Sequence, residues 1–287
     1  MSAKISSMLR RSSALLPVHA RVMLVLSLLC VSLALKAREL PVQTTATAAN
    51  SSDTAAHPVL VELFTSEGCS SCPPADEMIR KLDELQPIPG ARLIVLSEHV
   101  TYWDQDGWKD PNSSAALTDR QAAYESALKE PSSYTPQIIV DGTEQIHIDY
   151  PQRQMTNIFE KAAAAAKVPV RIGEVTVASG SPAVLRAHIE TEVNSEKHGG
   201  DVYVAVALDR VESQVLKGEN GGKHLVHVAV VQQLTKVGKL PKGKSFSQDV
   251  QLKLAPGTDP KNVRLVAFVQ ESGPGTVLGS AQRKPTL

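Results

Sequence analysis

Two cysteines lie close together in a chain that has only three, and their surroundings indicate redox chemistry. Cys69 and Cys72 follow the apolar run 59–64 and precede a segment whose apolar residues recur at helical spacing. A thiol at a helix N-terminus has its anion stabilised by unpaired N–H groups and the helix dipole. Because the thiolate is the nucleophile in disulfide exchange, this context predicts that Cys69 attacks and Cys72 resolves the mixed disulfide.

A long segment from His99 to Leu117 is the second place with candidate functional side chains. It carries Tyr102 and the only two tryptophans of the chain, Trp103 and Trp108, although aromatic residues make up 4% of the sequence. Long loops in compact domains are often functional, and ligands of open α/β sheets bind beyond the carboxyl ends of parallel strands. We therefore predict that these aromatic residues wall the cysteine site and contact a substrate; plain packing of the loop is the alternative.

Other uses of the cysteines stay open. A structural disulfide is possible, although so small a ring restrains little unfolded-chain entropy. Cys69, Cys72 and His99 could instead hold Cu(I), which favours soft ligands. The acidic residues Asp104, Asp106 and Asp110 resemble part of a calcium loop, but its twelve-residue frame and closing glutamate are missing.

The elements that must position these residues are a series of strands and helices over residues 58–167. Hydrophobic spacing and turn residues predict the order β-α-β-α-β-β-α, with Asp141-Gly142 as the turn of a hairpin. The second helix is expected over Thr118–Lys129, with its alanines at 122, 123 and 127 and Leu128 facing inward. A strand, helix and strand in series imply a right-handed unit with parallel strands.

From residue 168 onward the pattern changes to short strand-like runs separated by Gly, Pro, Asn and Asp. Six or seven strands in about 120 residues indicate a sandwich-like all-β domain over residues 168–287. His224 and His227 in this part are interpreted as residues of a sheet surface or an interface. The motif "GENGG", residues 218–222, is expected to be a turn.

The N-terminus predicts export. A basic segment precedes the uncharged apolar run Val22–Leu35, so residues 1–37 have the pattern of a signal peptide and residues 38–57 that of a disordered linker. An uncleaved anchor is the alternative and the only membrane attachment we expect. Removal of residues 1–37 takes away five basic groups and no acidic ones, which leaves 25 against 30 and a formal charge of −5. That charge argues against nucleic acid as a partner. Removal of residues 1–37 also takes away Cys30, so Cys69 and Cys72 remain as an even pair, which suits a disulfide in an oxidising compartment.

The layout of residues 58–167 resembles the thioredoxin fold: a CxxC motif, a later Thr-Pro before a hairpin, and the order of elements. The resemblance implies an α/β thioredoxin-like domain in which Pro136 is cis and faces the cysteines, while the backbone of Thr135 pairs with a bound substrate. It also implies a buried acid that transfers a proton, for which Glu62 is the candidate. Glu67 is interpreted as a loop charge.

Several segments have a more specific resemblance, to a single family within this fold. "VELFTSEGCSSCPPAD", "HVTYWDQDGWKDP", "TDRQAAY", "YTPQIIVDG" and "GENGGKHLVHVAVV" resemble the secreted bacterial family known as domain of unknown function 1223. That resemblance covers about residues 58–280 and implies a thioredoxin-like domain with a β-rich partner, without an established reaction.

The sequence thus predicts a periplasmic or secreted bacterial protein that exchanges thiols and disulfides through Cys69 and Cys72, with exported proteins or small thiols as partners. No cofactor is expected. The alternatives are a Cu(I)-binding module and a redox-inactive binding protein on the same scaffold.

Overall fold

A computed structural model describes residues 56–180, 182–192 and 198–286, and these belong to a single packing unit. The predicted signal peptide and nearly all of the predicted linker lie outside the described residues. Within the described ranges, no helix is both long enough and apolar enough to cross a membrane.

The first half has the predicted order of elements. Its strands and helices are β1 His57–Thr65, α1 Pro73–Leu85, β2 Ala91–His99, α2 Ala115–Leu128, β3 Gln137–Val140, β4 Glu144–Ile146 and α3 Gln152–Ala164. Strands β1 and β2 are parallel, β3 is antiparallel to β1, and β4 is antiparallel to β3. The hairpin turns at Asp141 and Gly142, both of which have positive φ, as the Asp-Gly signal predicts.

Helix α1 forms where the sequence predicts it. Two prolines occupy its first turn, where their missing N–H groups have no intrahelical partner, and Gln86 ends it in a left-handed conformation. Ala75, Ile79 and Leu82 are buried at helical spacing against β1 and β2. This apolar face fixes the helix, and with it the cysteines at its start.

The inner face predicted for α2 is wrong for its three alanines and right for Leu128, which packs against Phe64, Val100, Tyr124 and Ile139. Leu117, Gln121 and Tyr124 are buried, and the alanines at 122, 123 and 127 are exposed. Gln121 can be buried because its amide donates to the Tyr134 carbonyl at 2.7 Å and to Gln137 Oε1 at 2.9 Å. Hydrogen-bond partners from other elements thus reverse a pattern that composition alone favoured.

The described residues of the second half, from residue 168 onward, form eight strands, which divide between two sheets. They are β5 Val170–Ile172, β6 Thr176–Ala178, β7 Val184–Thr191, β8 Gly200–Gln214, β9 His224–Leu240, β10 Phe246–Lys253, β11 Val263–Gln270 and β12 Val277–Arg283. Strands β8, β9, β11 and β12 join the first half in one mixed sheet with the order β12-β11-β8-β9-β2-β1-β3-β4. Strands β10, β7 and β5 form a separate antiparallel sheet, with β6 paired to β7.

The two sheets pack face to face in the second half, as a sandwich requires, and share an apolar core that includes Leu185, Val204, Val250 and Leu265. Strands from both sides of residue 167 nevertheless belong to the large sheet, because β9 runs parallel to β2 and meets it at Val230 and Ser97. The architecture is therefore mixed α/β, with one large mixed sheet and one smaller antiparallel sheet. The seam between β2 and β9 brings residues of the second half to the end of β1.

Candidate functional site

The two cysteines form a disulfide at the start of α1. Their Cα atoms are 5.4 Å apart, Cys72 is the N-cap residue, and both side chains are fully buried. The Cys72 carbonyl accepts the N–H groups of Ala75 and Asp76, so the helix begins directly at the inner cysteine. The loop that leads into it, residues 66–72, is called the cysteine loop below.

The predicted Thr-Pro pair lies beside the cysteine loop. The peptide bond between Thr135 and Pro136 is cis, and the Ser71 hydroxyl donates to the Thr135 carbonyl at 3.5 Å. The Trp103 indole N–H donates to the Thr135 hydroxyl oxygen at 2.7 Å. The structure thus brings together the two segments that the sequence singled out, although they are more than 60 residues apart.

Two of the three aromatic side chains also contact the cysteine loop. A Cβ on Gly68 would lie 2.9 Å from Trp103 Cβ, so glycine permits this close approach. The Trp108 N–H donates to Glu67 Oε2 at 2.7 Å. Tyr102 is adjacent to Trp103 and 38% exposed, and burial of the rest of its side chain raises the pKa of its phenol. Substrate contact by these residues stays a prediction.

Behind the cysteine loop lies a set of buried ionisable side chains, called the Glu67 cluster: Glu67, Asp76, His99, Asp110 and His227. His99 Nδ1 is 2.7 Å from Asp110 Oδ2, which also accepts the Glu67 backbone N–H at 2.9 Å. Burial by itself would raise the pKa of Asp110, but His99 and the backbone N–H groups of Glu67 and Asn112 hold it below its usual range. Because the Glu67 side chain is fully buried and accepts the Trp108 N–H, it is not the loop charge that the sequence suggested.

His227 is the member of this cluster whose predicted place was wrong. It comes from β9, is buried, and packs edge-on against His99 with ring centroids 4.7 Å apart. Its Nδ1 is 3.5 Å from Asp76 Oδ1, and its Nε2 is 3.8 Å from Glu67 Oε1. Burial opposes its protonation, but the charges of Asp76, Glu67 and Asp110 outweigh that effect and raise the pKa of His227.

The strand that carries His227 also carries His224, whose imidazole is half exposed and pairs with Glu212 at 3.1 Å. For His224 the predicted surface position is therefore observed. His224 is the first residue of β9, whereas His227 lies closer to Val230, where β9 pairs with β2.

Several atoms of the Glu67 cluster have no hydrogen-bond partner within the described ranges: His99 Nε2, both ring nitrogens of His227, and Asp76 Oδ2. Buried polar atoms are usually paired, so this is an unusual concentration. Among the residues described, no group of three or more His, Cys, Asp or Glu side chains is arranged to hold a metal ion. The two sulfurs of the alternative Cu(I) site, those of Cys69 and Cys72, are joined in the disulfide. The third candidate ligand, His99, has its Nδ1 in a hydrogen bond with Asp110 Oδ2.

Glu62 lies in a different cluster. Its side chain is on the α2 side of β1, whereas Val61 and Leu63 pack with α1 on the cysteine side. Arg120 donates to Glu62 Oε1 at 2.7 Å, and the Tyr124 hydroxyl donates to Glu62 Oε2. Gln270 completes the set, called the Arg120 cluster, by bonding both Arg120 and Tyr124. The structure does not bring Glu62 together with the cysteines.

Sequence reasoning missed two residues that contact the cysteine loop, Glu219 and Asn220. The Asn220 amide is fully buried and donates to the carbonyls of Glu67 and Cys69 at 2.8 and 2.9 Å. Glu219 Oε2 accepts the Ser70 backbone N–H at 3.2 Å. The motif "GENGG" correctly predicted a turn, but no local pattern indicated which part of the chain it would contact.

The chain is similar to a solved structure over most of its length. The crystal structure of an Agrobacterium tumefaciens protein from the Northeast Structural Genomics Consortium is 26% identical, with a TM-score of 0.60. The match covers 80% of this chain and 96% of that one. A Kluyveromyces marxianus β-glucosidase (11% identity, TM-score 0.24) aligns over 56% of this chain and 16% of its own, too weakly to support any argument.

No curated protein matches the chain. The family described as "Protein of unknown function (DUF1223)" matches residues 60–270, which is most of the sequence and includes the cysteine loop, the cis-proline and the β8–β9 turn. The chain therefore belongs to the DUF1223 family.

Proposed function

We propose that the protein is an exported thiol–disulfide oxidoreductase that acts on exported proteins or small thiols. The observation that carries the proposal is the Cys69–Cys72 disulfide at the start of α1, held beside the cis Thr135–Pro136 bond by Ser71. A helix N-terminus stabilises the thiolate that exchange requires, and an extended substrate would pair with the Thr135 backbone in place of the Ser71 hydroxyl.

The arrangement of the first half supports a thioredoxin-like assignment for residues 58–167. The strand order β2-β1-β3-β4, with β1 and β2 parallel and β3 and β4 antiparallel, accompanies the order β-α-β-α-β-β-α. The cysteines follow β1, and the cis-proline immediately precedes β3. Strand order, motif and cis-proline each support this assignment.

The proposed reaction transfers two electrons. In the reducing direction, the Cys69 thiolate attacks one sulfur of a substrate disulfide and forms a mixed disulfide, and the other substrate sulfur leaves as a thiolate and takes a proton. Cys72 then loses its proton and attacks Cys69 Sγ, which closes the protein disulfide and releases the second substrate sulfur, which is also protonated. The substrate gains two electrons and two protons, which the dithiol loses; the reverse sequence oxidises a substrate dithiol.

Asp76 is better placed than Glu62 to move the Cys72 proton. It is four residues after Cys72, which itself has helical φ and ψ, and side chains at this spacing share one face with Cβ atoms about 5–6 Å apart. Its Oδ1 accepts the Thr65 hydroxyl at 3.0 Å, while Oδ2 is buried without a hydrogen bond within the described ranges. We assign Asp76 as the proton acceptor, with His227 as the neighbouring charge.

Export is part of the same proposal, because a disulfide persists in the periplasm or outside the cell. The predicted signal peptide over residues 1–37 supports it, and an uncleaved segment would be the only membrane attachment. A second candidate is a redox-inactive binding protein, which the complete burial of both cysteines favours.

The deciding experiment is the reduction potential of residues 38–287, equilibrated in glutathione buffers and read by thiol alkylation and mass. We expect a midpoint between about −270 and −120 mV, the range of exchange catalysts. Cys72→Ser should then trap mixed disulfides on Cys69, and the matched Cys69→Ser control should trap none. A midpoint below about −300 mV would identify a structural disulfide and favour the binding protein.

A further inference from the structure

The turn between β8 and β9 lies against the cysteine loop, although it is about 150 residues away in the sequence. This segment, Lys217–Gly222, is called the cover. Its Asn220 binds two carbonyl oxygens of the cysteine loop, those of Glu67 and Cys69, and its Glu219 binds the Ser70 N–H. Two peptide units of the cysteine loop, 67–68 and 69–70, are therefore held by one turn of the second half.

The contact is close as well as hydrogen-bonded. A Cβ on Gly218 would lie 3.1 Å from the Asp106 carbonyl oxygen and from Trp108 Cβ. The cover therefore also contacts the segment 99–117, which carries both tryptophans. Lys223 Nζ donates to Asn220 Oδ1 at 2.8 Å and orients the amide so that its N–H groups face the cysteine loop. Cys69, whose carbonyl this turn binds, is fully buried although the next two residues, Ser70 and Ser71, are exposed.

Complete burial of Cys69 is a constraint on the proposed reaction. A thiolate that opens the disulfide must approach the attacked sulfur, and exchange rates depend on this access. Some element must therefore move before a substrate reacts. Trp103 and the cis-proline segment belong to the first half and bond each other, whereas the cover is a hairpin tip attached mainly by hydrogen bonds.

The cover has the properties of a segment that opens locally. Gly218 and Gly222 both have positive φ, so it is a tight glycine turn, and its neighbour Leu216 is 70% exposed. Apart from Asn220, every residue of the cover is exposed, and segments with few buried apolar contacts have low local stability. The strands on either side, β8 and β9, pair over a long register and would stay in place.

We propose that the β8–β9 turn is a lid on the Cys69–Cys72 disulfide, that Asn220 is the positioning residue that fastens it, and that its opening controls how fast thiols reach Cys69. The inference rests on the proposed function, because a lid has a role only if the disulfide exchanges. In this proposal the second half of the chain regulates access of thiols to the cysteines of the first half.

The test is the rate at which dithiothreitol reduces the disulfide in the folded protein, followed by quenched alkylation. We expect Asn220→Asp to accelerate reduction at least tenfold, because it keeps the size of the side chain but turns a carboxylate towards two carbonyl oxygens. Glu219→Ala, which removes only the exposed outer contact, should accelerate it two- to fivefold. Glu212→Ala, an exposed acid on the same hairpin that does not contact the cysteine loop, is the matched control and should have no effect.

Local opening and loss of the fold are separated by two further readouts. The Ser70 amide should exchange hydrogen faster in both lid variants, while amides in β1 and β11 keep their protection. Rates within twofold of the wild type for both variants would overturn the lid. That result is distinct from a failure of the proposed function, which is decided by the reduction potential and not by the rate of access.

Discussion

The Arg120 cluster and the Glu67 cluster are both buried next to β1, yet the first is built around one cation and the second around two histidines. In the Arg120 cluster one arginine donates to Glu62 and Gln270 and lies over the rings of Tyr124, Tyr203 and Phe268. The buried Glu98 lies 3.5 Å from the same arginine, and neither of its carboxylate oxygens has a hydrogen bond within the described ranges. In the Glu67 cluster three carboxylates surround two histidines, and four side-chain nitrogen or oxygen atoms lack a hydrogen bond within the described ranges.

This difference indicates different tasks. Arg120 stays charged, since the nearby carboxylates raise its pKa further against the opposing effect of burial, so its cluster holds α2, β1 and β11 together at every ordinary pH. In the Glu67 cluster, next to the cysteine loop, the surrounding carboxylates raise the pKa of His227. A network centred on a permanent cation serves packing, and one that combines histidines with carboxylates beside two cysteines is suited to proton movement.

The largest expected effect on stability comes from breaking the Arg120 cluster. Arg120→Met leaves Glu62 buried without its cation, and we expect it to cost about 3–5 kcal/mol of unfolding free energy. Denaturant unfolding measures this, with the exposed Arg210→Met as the control that should leave stability unchanged. A loss below about 1 kcal/mol would mean that the two clusters do not differ as described.

Asp76→Asn tests the Glu67 cluster as a proton carrier. The amide still accepts the Thr65 hydroxyl but cannot take a proton, so we expect closure of the mixed disulfide by Cys72 to slow about 10²-fold. The reduction potential and the unfolding free energy should change little by comparison. Single-turnover kinetics measures the closure step, with the exposed Glu77→Gln on the same helix as the control; equal rates in the two variants would contradict the assignment.

His227→Gln should have the smallest effect, and one that depends on pH. Because the pKa of His227 is raised in the folded state, its charge contributes stability that is fully present below the unfolded value of about 6.5. That contribution is lost as the pH rises through the folded pKa. We expect the variant to be less stable than the wild type by about 1–3 kcal/mol at pH 5.5, with a difference that shrinks towards pH 9.

Denaturation across that pH series is the measurement for His227→Gln. A difference that stays constant with pH would show that the imidazole is held by packing alone. A difference that grows with pH would reverse the sign of the argument and show that the neutral ring is favoured in the fold.

Much of the first half could be predicted from local patterns. The spacing of Ala75, Ile79 and Leu82, the prolines of the first helical turn and the Asp-Gly hairpin turn act over a few residues, so the sequence displays them directly. The α2 face could not be predicted in this way, because Gln121 is buried through partners that come from other elements. Polar side chains are buried wherever their hydrogen bonds are met, and those bonds are made by distant segments.

By itself, the sequence determined the two cysteines at the start of a helix, the order of the elements around them, and the family. Only the tertiary structure decided what surrounds the pair. Strand β9 joins the sheet beside β2, and this single long-range pairing carries His227 into the Glu67 cluster and Asn220 onto the Cys69 carbonyl. Local periodicity specifies which residues form a strand, but the neighbour of that strand is chosen by burial and hydrogen bonding summed over the whole chain, so it leaves no local signal.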